Sequence, residues 1–313
     1  MQKETNENIN ADLGLGSRVA QSSQTRFLNQ DGSFNVRRGG LSWIRSQNLY
    51  HTLLTISWPK FIFLIVVSYF ATNILFAIAY LFCGPEAFQG LPQQTGTGYY
   101  LELFFFSVQT LATIGYGRVS PANLAANCIV TIEALVGLLG IALATGILFA
   151  RFSRPGAKIL FSRNALIAPF RGGKAFEFRI ANSRTSELID VNATIVFAYI
   201  ERVDGQPVRR FKPLALERPN VMFFPLHWVI VHPIDESSPL HLLTAENLAD
   251  SDAEFLVMLT AFDETFSQTV NTRSSYKYND VVWGAKFSDI FVPTDDKLIT
   301  IDMQKLSDFE RVI

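Results

Sequence analysis

The chain has 313 residues, with 27 Lys+Arg against 28 Asp+Glu and a formal net charge of −1. That balance gives no reason to expect nucleic acid as a partner, and Cys83 and Cys128 are too few for a disulfide framework and lack zinc-ligand spacing. A mean hydropathy of +0.20 is high for a soluble protein, and the apolar residues are concentrated in the first half of the chain.

Residues 1–35 are polar, rich in Asn, Gln, Ser and Thr, a composition that predicts disorder apart from local contacts. Within 36–57, Ile44, Leu49, Leu53, Leu54 and Ile56 are interleaved with Arg45, Ser46, Gln47, Asn48 and His51. The pattern fits either an amphipathic helix at a membrane surface or a plain lead-in to the next helix. Residues 58–83 carry one charge, Lys60, and are long enough to cross a bilayer with some tilt. Pro59 suits a first helical turn, and Trp58 and Tyr80 suit interfacial anchors.

Gly84 to Gly98 reads as an external loop. Residues 99–111 are helix-like and aromatic (Tyr99, Tyr100, Phe104, Phe105, Phe106) but too short to span, so this helix is re-entrant or interfacial. Residues 112–117 follow it as Ala112-Thr113-Ile114-Gly115-Tyr116-Gly117. Non-helical backbone at membrane depth is tolerated only where it is buried or lines a watery path. A dehydrated potassium ion needs a cage of oxygens, and backbone carbonyls of such a loop, converging from four copies, supply stacked rings of them. Gly115 and Gly117 tolerate the backbone angles this demands. Thr113 adds a hydroxyl at the inner end, the carbonyls of Thr113, Ile114, Gly115 and Tyr116 face the ion, and Tyr116 packs behind the loop. The preceding helix directs its partly negative C-terminus at the ion path.

Residues 123–152 form a second apolar run, long enough to cross and project beyond the membrane, and the intramembrane carboxylate Glu133 must face protein or water. Arg37, Arg38, Arg45 and Lys60 precede the first span, and Arg151, Arg154, Lys158 and Arg163 follow the second. Between the spans only Arg118 is basic, against Glu86 and Glu102, so the positive-inside rule places both termini in the cytoplasm. The expected location of this multi-pass chain is the cell's inner (plasma) membrane.

Residues 153–313 read as an all-β soluble domain. Phe176, Phe178 and Ile180 share one face, 191–200 and 254–262 are further strands, and Asp204-Gly205 marks a hairpin turn, together fitting a β-sandwich. Neither the carboxylates nor His227, His232 and His241 form a triad or metal motif, so no enzyme activity and no cofactor is expected.

Beyond the filter, Ala150-Arg151-Phe152-Ser153-Arg154-Pro155 leaves the second span, and Val231-His232-Pro233-Ile234-Asp235-Glu236-Ser237-Ser238-Pro239-Leu240, Arg273-Ser274-Ser275-Tyr276 and Val282-Trp283-Gly284 mark the β domain. With these residues the chain resembles the prokaryotic branch of the inwardly rectifying potassium channels. The resemblance implies an α-helical two-span pore domain with a re-entrant pore helix, a slide helix, an immunoglobulin-like cytoplasmic domain and assembly with three identical subunits as a homotetramer. It implies passive K⁺ conduction, with Ba²⁺, Mg²⁺ or polyamines as pore blockers.

Residue by residue, Phe149 matches the inner-helix gate, or packs as an ordinary helix residue. Gly137 and Gly146 match positions where the inner helix bends, or allow close helix approach. Arg151, Arg154 and Lys158 match a cluster that meets anionic or phosphoinositide lipids, or serve topology alone. Ile141 stands where strongly rectifying members carry an acid, so block by Mg²⁺ or polyamines is expected to be weak. Gln109 replaces the pore-helix glutamate of many eukaryotic members. Asp190 and Glu264 match acidic positions on the cytoplasmic pore wall, or are solvated surface carboxylates, and His232 belongs to a family motif with a structural role. The alternative reading from another class is a membrane-anchored sensor whose β domain binds a ligand without conduction.

Overall fold

The computed structural model describes residues 26, 28–35, 49–91, 96–153, 158–184, 187–224, 226–293 and 299–312. The chain divides into a helical unit, Gly39–Arg154, and a β unit made of Met1–Arg38 and Pro155–Ile313.

In the helical unit a short helix α1 (Leu49–Thr55) precedes α2 (Trp58–Leu81), α3 (Thr97–Leu111) and α4 (Leu124–Phe152). Pro59 sits in the first turn of α2, where its missing N–H has no intrahelical partner to lose. Asn123 caps α4, its side chain accepting from the Ala126 N–H at 2.8 Å. Both long helices are apolar on every side, with Phe63, Leu75, Leu138 and Leu143 among their exposed residues. Such helices belong in lipid or among partner helices, and each is long and apolar enough to cross a membrane.

Two short strands, β1 (Phe88–Gln89) and β2 (Ser120–Pro121), pair antiparallel and tie the segment before α3 to the segment after the filter. Gly90, at φ +80°, lies so close to the Arg118 carbonyl that any Cβ would collide with it. Tyr80, Phe88 and Phe106 form the centre of this unit, with ring centroids 5.3–5.5 Å apart. Tyr80 is fully buried there. It is a core residue, not the interfacial anchor that an aromatic near a helix end suggests.

The β unit is a sandwich. One sheet runs β11 (Gln268–Lys277), β10 (Glu254–Asp263), β6 (Leu188–Val203) and β7 (Gln206–Leu214), with β8 (Asn220–Phe223) also on β6. The other runs β12 (Val281–Trp283), β4 (Ala165–Phe170), β5 (Gly173–Asn182) and β3 (Ile159–Phe161), with β9 (His227–Ile234) also on β5. Phe176, Phe178 and Ile180 point between the sheets, and the Phe176 ring stacks on Phe255 of β10 at 4.2 Å. Asp204 and Gly205 both have positive φ, the geometry of a tight two-residue hairpin, and Val203 pairs with Gln206. A short helix α5 (Ala245–Asp250) is closed by a Thr244/Asn247 capping box. Two small pairs complete the unit: β13 (Ala285–Phe287) with β16 (Phe309–Arg311), and β14 (Phe291–Val292) with β15 (Thr300–Ile301). Ala285 and Phe287 cover Leu166 on the outer face of the second sheet.

Residues 28–35, inside the stretch whose composition predicts disorder, are held on β10 and β11. Leu28 is buried and bridges to Phe34, and its N–H donates to Glu254 at 3.3 Å. Ser274 donates to the Gln30 carbonyl at 3.0 Å, and Arg26 pairs with Asp280 at 3.1 Å. Leu28 and Phe34 are the apolar residues that the polar average hides.

Candidate functional site

The loop after α3 is built by alternating backbone handedness. Thr113, Gly115 and Gly117 have φ of 55°, 58° and 76°, while Ile114 and Tyr116 between them keep ordinary negative φ. Alternation of this kind turns successive peptide units the same way, so consecutive carbonyls emerge on one side. Glycine adopts such angles freely; Thr113 does so against its Cβ and must be held there. The holding contacts come from the end of α3, where the Thr113 N–H donates to the Thr110 carbonyl at 3.0 Å. The Ile114 and Gly115 N–H groups both donate to the Gln109 carbonyl, at 2.8 and 3.3 Å. The N–H groups of Thr113, Ile114 and Gly115 are thus spent on the helix end, and the loop's carbonyls are left to other partners. The Gln109 contribution is its main-chain carbonyl, which no side-chain comparison would find. At the outer end Arg118 pairs with Glu102 of α3, and β1–β2 ties down the exit. Ile114 and Tyr116 are exposed in the single chain, so Tyr116 does not pack behind its own loop.

Behind α3 lies a buried polar group. Glu133 of α4 accepts from the Tyr80 hydroxyl of α2 through Oε2, and its Oε1 touches the Ser107 hydroxyl of α3. Ser107 also touches Asn73 of α2 at 3.1 Å. Glu133 does face protein, as its place in an apolar helix demands. Four residues further along α4, Gly137 lies against the Leu111 carbonyl, where a Cβ would overlap it, whereas Gly146 has open space. Ile141 and Phe149 are exposed on α4 in the single chain.

Arg151 is turned inward. Its guanidinium donates to the carbonyls of Leu53 and Ile56, satisfying the end of α1, and lies over the rings of Trp58 and Phe61 at 4.7 and 4.5 Å. The other members of the basic cluster differ: Lys158 is exposed, and Arg154 lies outside the described residues, as do Arg37, Arg38 and Arg45.

In the β unit, Asp190 is exposed with φ 49°, at a bulge where β6 carries one extra residue against β10. Glu264 is exposed in the turn after β10, at the same end of that ladder. His232 is buried; its Nδ1–H donates to the Ala215 carbonyl, and its Nε2 accepts from Ser238 at 2.7 Å. Burial holds this imidazole below its ordinary 6.5, with the Ala215 bond acting in the opposite sense.

Two apolar spans enclosing a re-entrant helix and a carbonyl-presenting loop define the pore-forming class of membrane proteins, and residues 62–154 match the "Ion channel" family. Residues 159–313 match the "Inward rectifier potassium channel C-terminal domain" family. The chain is 42% identical over 284 residues to the inward rectifier potassium channel Kirbac3.1 of Paramagnetospirillum magnetotacticum, covering 90% of this chain and 94% of that one. It is 27% identical to the ATP-sensitive inward rectifier potassium channel 11 of Homo sapiens, covering 94% and 80%. With the ATP-sensitive inward rectifier potassium channel 8 of Mus musculus it shares 27%, covering 92% and 74%. The chain belongs to the inward rectifier potassium channel family. It is a potassium channel of the inward rectifier type, a membrane protein and not an enzyme, and these matches leave the anchored-sensor reading without support.

Proposed function

We infer that four copies of the chain surround one axis and pass K⁺ between rings of carbonyl oxygens from Thr113, Ile114, Gly115 and Tyr116, with Gly117 at the outer exit. The observation that carries this reading is the alternation of φ sign along Thr113–Gly117, with the N–H groups of Thr113, Ile114 and Gly115 taken up by α3. Carbonyl dipoles fixed in this way replace the hydration shell of the ion without having to reorganise as it passes. The wide exposure of apolar side chains on α2 and α4 supports both lipid contact and packing against identical subunits.

Phe149 is the gate in this account: four rings meeting at the inner end of α4 close the path by expelling water. Ile141 leaves the pore without an acidic ring, so block by Mg²⁺ or polyamines is weak, while Ba²⁺ blocks within the filter. Asp190 and Glu264 draw cations toward the pore by their repetition in four subunits. Anionic lipids act on the basic residues after α4, and here Lys158 and Arg154 carry the attraction, because Arg151 is committed to Leu53 and Ile56. The channel lies in the cell's inner (plasma) membrane with both termini cytoplasmic, in keeping with its basic residues. It needs no cofactor beyond the permeant ion. Rubidium uptake into liposomes holding the purified protein tests the reading: uptake that Ba²⁺ blocks is expected, and no uptake in any lipid composition contradicts it.

A further inference from the structure

Glu133 is the one acidic side chain of α4, and conduction through carbonyl rings leaves it without a part. Its direct partners come from two other helices, Tyr80 on α2 and Ser107 on α3, and Asn73 of α2 joins them through Ser107. Tyr80, Asn73, Ser107 and Glu133 are all 0% exposed. Among the described residues no Arg, Lys or His forms an ion pair with it. An ionised carboxylate there would be an uncompensated charge among apolar side chains, which is heavily penalised.

Counting protons settles the direction of the bonds. The Asn73 Nδ2 donates to the Tyr69 carbonyl at 2.7 Å, which fixes the amide and turns its Oδ1 toward the Ser107 hydroxyl at 3.1 Å. That hydroxyl also touches Glu133 Oε1, and the Tyr80 hydroxyl touches Oε2. A serine hydroxyl has a single proton. Were Glu133 ionised, that proton would have to serve both Oε1 and Asn73 Oδ1, and one buried acceptor would go without. With a proton on Oε1 every group is matched: Tyr80 donates to Oε2, Oε1–H to Ser107, Ser107 to Asn73 Oδ1, and Asn73 Nδ2 to the Tyr69 carbonyl.

We propose that Glu133 is held as a neutral acid and is a positioning residue for the filter, its proton completing one directed chain of hydrogen bonds that fixes α3 to both spans. Ser107 stands one turn before Leu111, which is seated on Gly137, and just before Gln109, whose carbonyl accepts from the Ile114 and Gly115 N–H groups of the filter. A displacement of α3 at Ser107 is therefore passed to the loop. The proposal rests on the filter reading above and adds how the filter is held in register.

The test uses the full channel in lipid. Infrared spectroscopy at neutral pH should show a protonated-carboxyl band in the wild type that is absent from Glu133→Gln. The Gln amide can reproduce both contacts, donating to Ser107 and accepting from Tyr80, so its preference for rubidium over sodium should stay within about twofold of wild type. Glu133→Leu and Ser107→Ala should lower that preference by about tenfold or more in channels that still assemble. Unchanged preference in either variant overturns the positioning role. A carboxyl band that survives Glu133→Gln, or a Gln variant as impaired as the Leu one, overturns the neutral acid. Should Glu133→Leu not assemble, Ser107→Ala and Asn73→Leu leave the carboxyl in place and carry the same readout. A wild-type channel with no preference for rubidium would count instead against the filter reading itself.

Discussion

Gly137 of the inner helix lies flat against the carbonyl of Leu111, the last residue of the pore helix, with no room for a side chain between them. Inserting even a methyl group here must push α3 and α4 apart. Gly137→Ala is expected to cost about 1–3 kcal/mol, as overpacked sites do. Gly146 faces open space, and Gly146→Ala should be neutral or stabilising by up to about 1 kcal/mol through helix propensity. Thermal denaturation of the detergent-solubilised channel distinguishes them, and equal melting of the two variants would refute the close approach.

Arg151 offers a second contrast. A guanidinium can serve two carbonyls and stack on two rings at once; an ammonium cannot. Arg151→Lys, which keeps the charge, is therefore expected to lower stability by about 1–3 kcal/mol in neutral and anionic lipid alike. Lys158→Gln should leave stability alone and weaken the response of rubidium uptake to anionic lipid. If Arg151→Lys changed only the lipid response, its inward role would be wrong.

Much of this arrangement was legible in the sequence because its causes are local. Uninterrupted apolar runs mark α2 and α4, Asp204-Gly205 marks a turn needing two positive φ angles, and Thr113 to Gly117 declare a backbone only glycine allows repeatedly. What was not legible depends on partners distant in the chain. Tyr80 reads as an anchor until Glu133 and Phe106 are placed beside it. Arg151 reads as a lipid-facing charge until the end of α1 is seen to lack donors. The bulge at Asp190 carries no residue signal, since an extra residue shows only against the register of β10. Residues 28–35 average out as disordered because Leu28 finds its cover on β10 and β11, far along the chain.

His232 links the β unit to pH. Because the folded unit holds its imidazole below the usual 6.5, mainly through burial, the unfolded chain binds the proton more readily. Stability from this residue is therefore fully present above about pH 6.5 and is lost as pH falls toward the folded value. Protonation also places an Nε2–H against Ser238, whose proton must turn away. The unfolding midpoint should fall between about pH 7 and pH 5, and less steeply in His232→Gln. An identical slope in the variant would place the acid sensitivity elsewhere.

The proposed weak rectification rests on Ile141. Ile141→Asp introduces four carboxylates into the inner pore if the residue faces the axis, and spermine should then block outward current far more strongly than in wild type. Block that does not change would mean that Ile141 points away from the ion path.

The central claim is that the loop Thr113–Gly117 selects potassium through backbone carbonyls held by α3. The most direct measurement is the reversal potential of the reconstituted channel with potassium on one side and sodium on the other. The account predicts a potential near the potassium limit in the wild type, and loss of the potassium current in Gly115→Ala, whose φ of 58° a side chain resists. A reversal potential near zero in the wild type, with sodium and potassium carried equally, would contradict it.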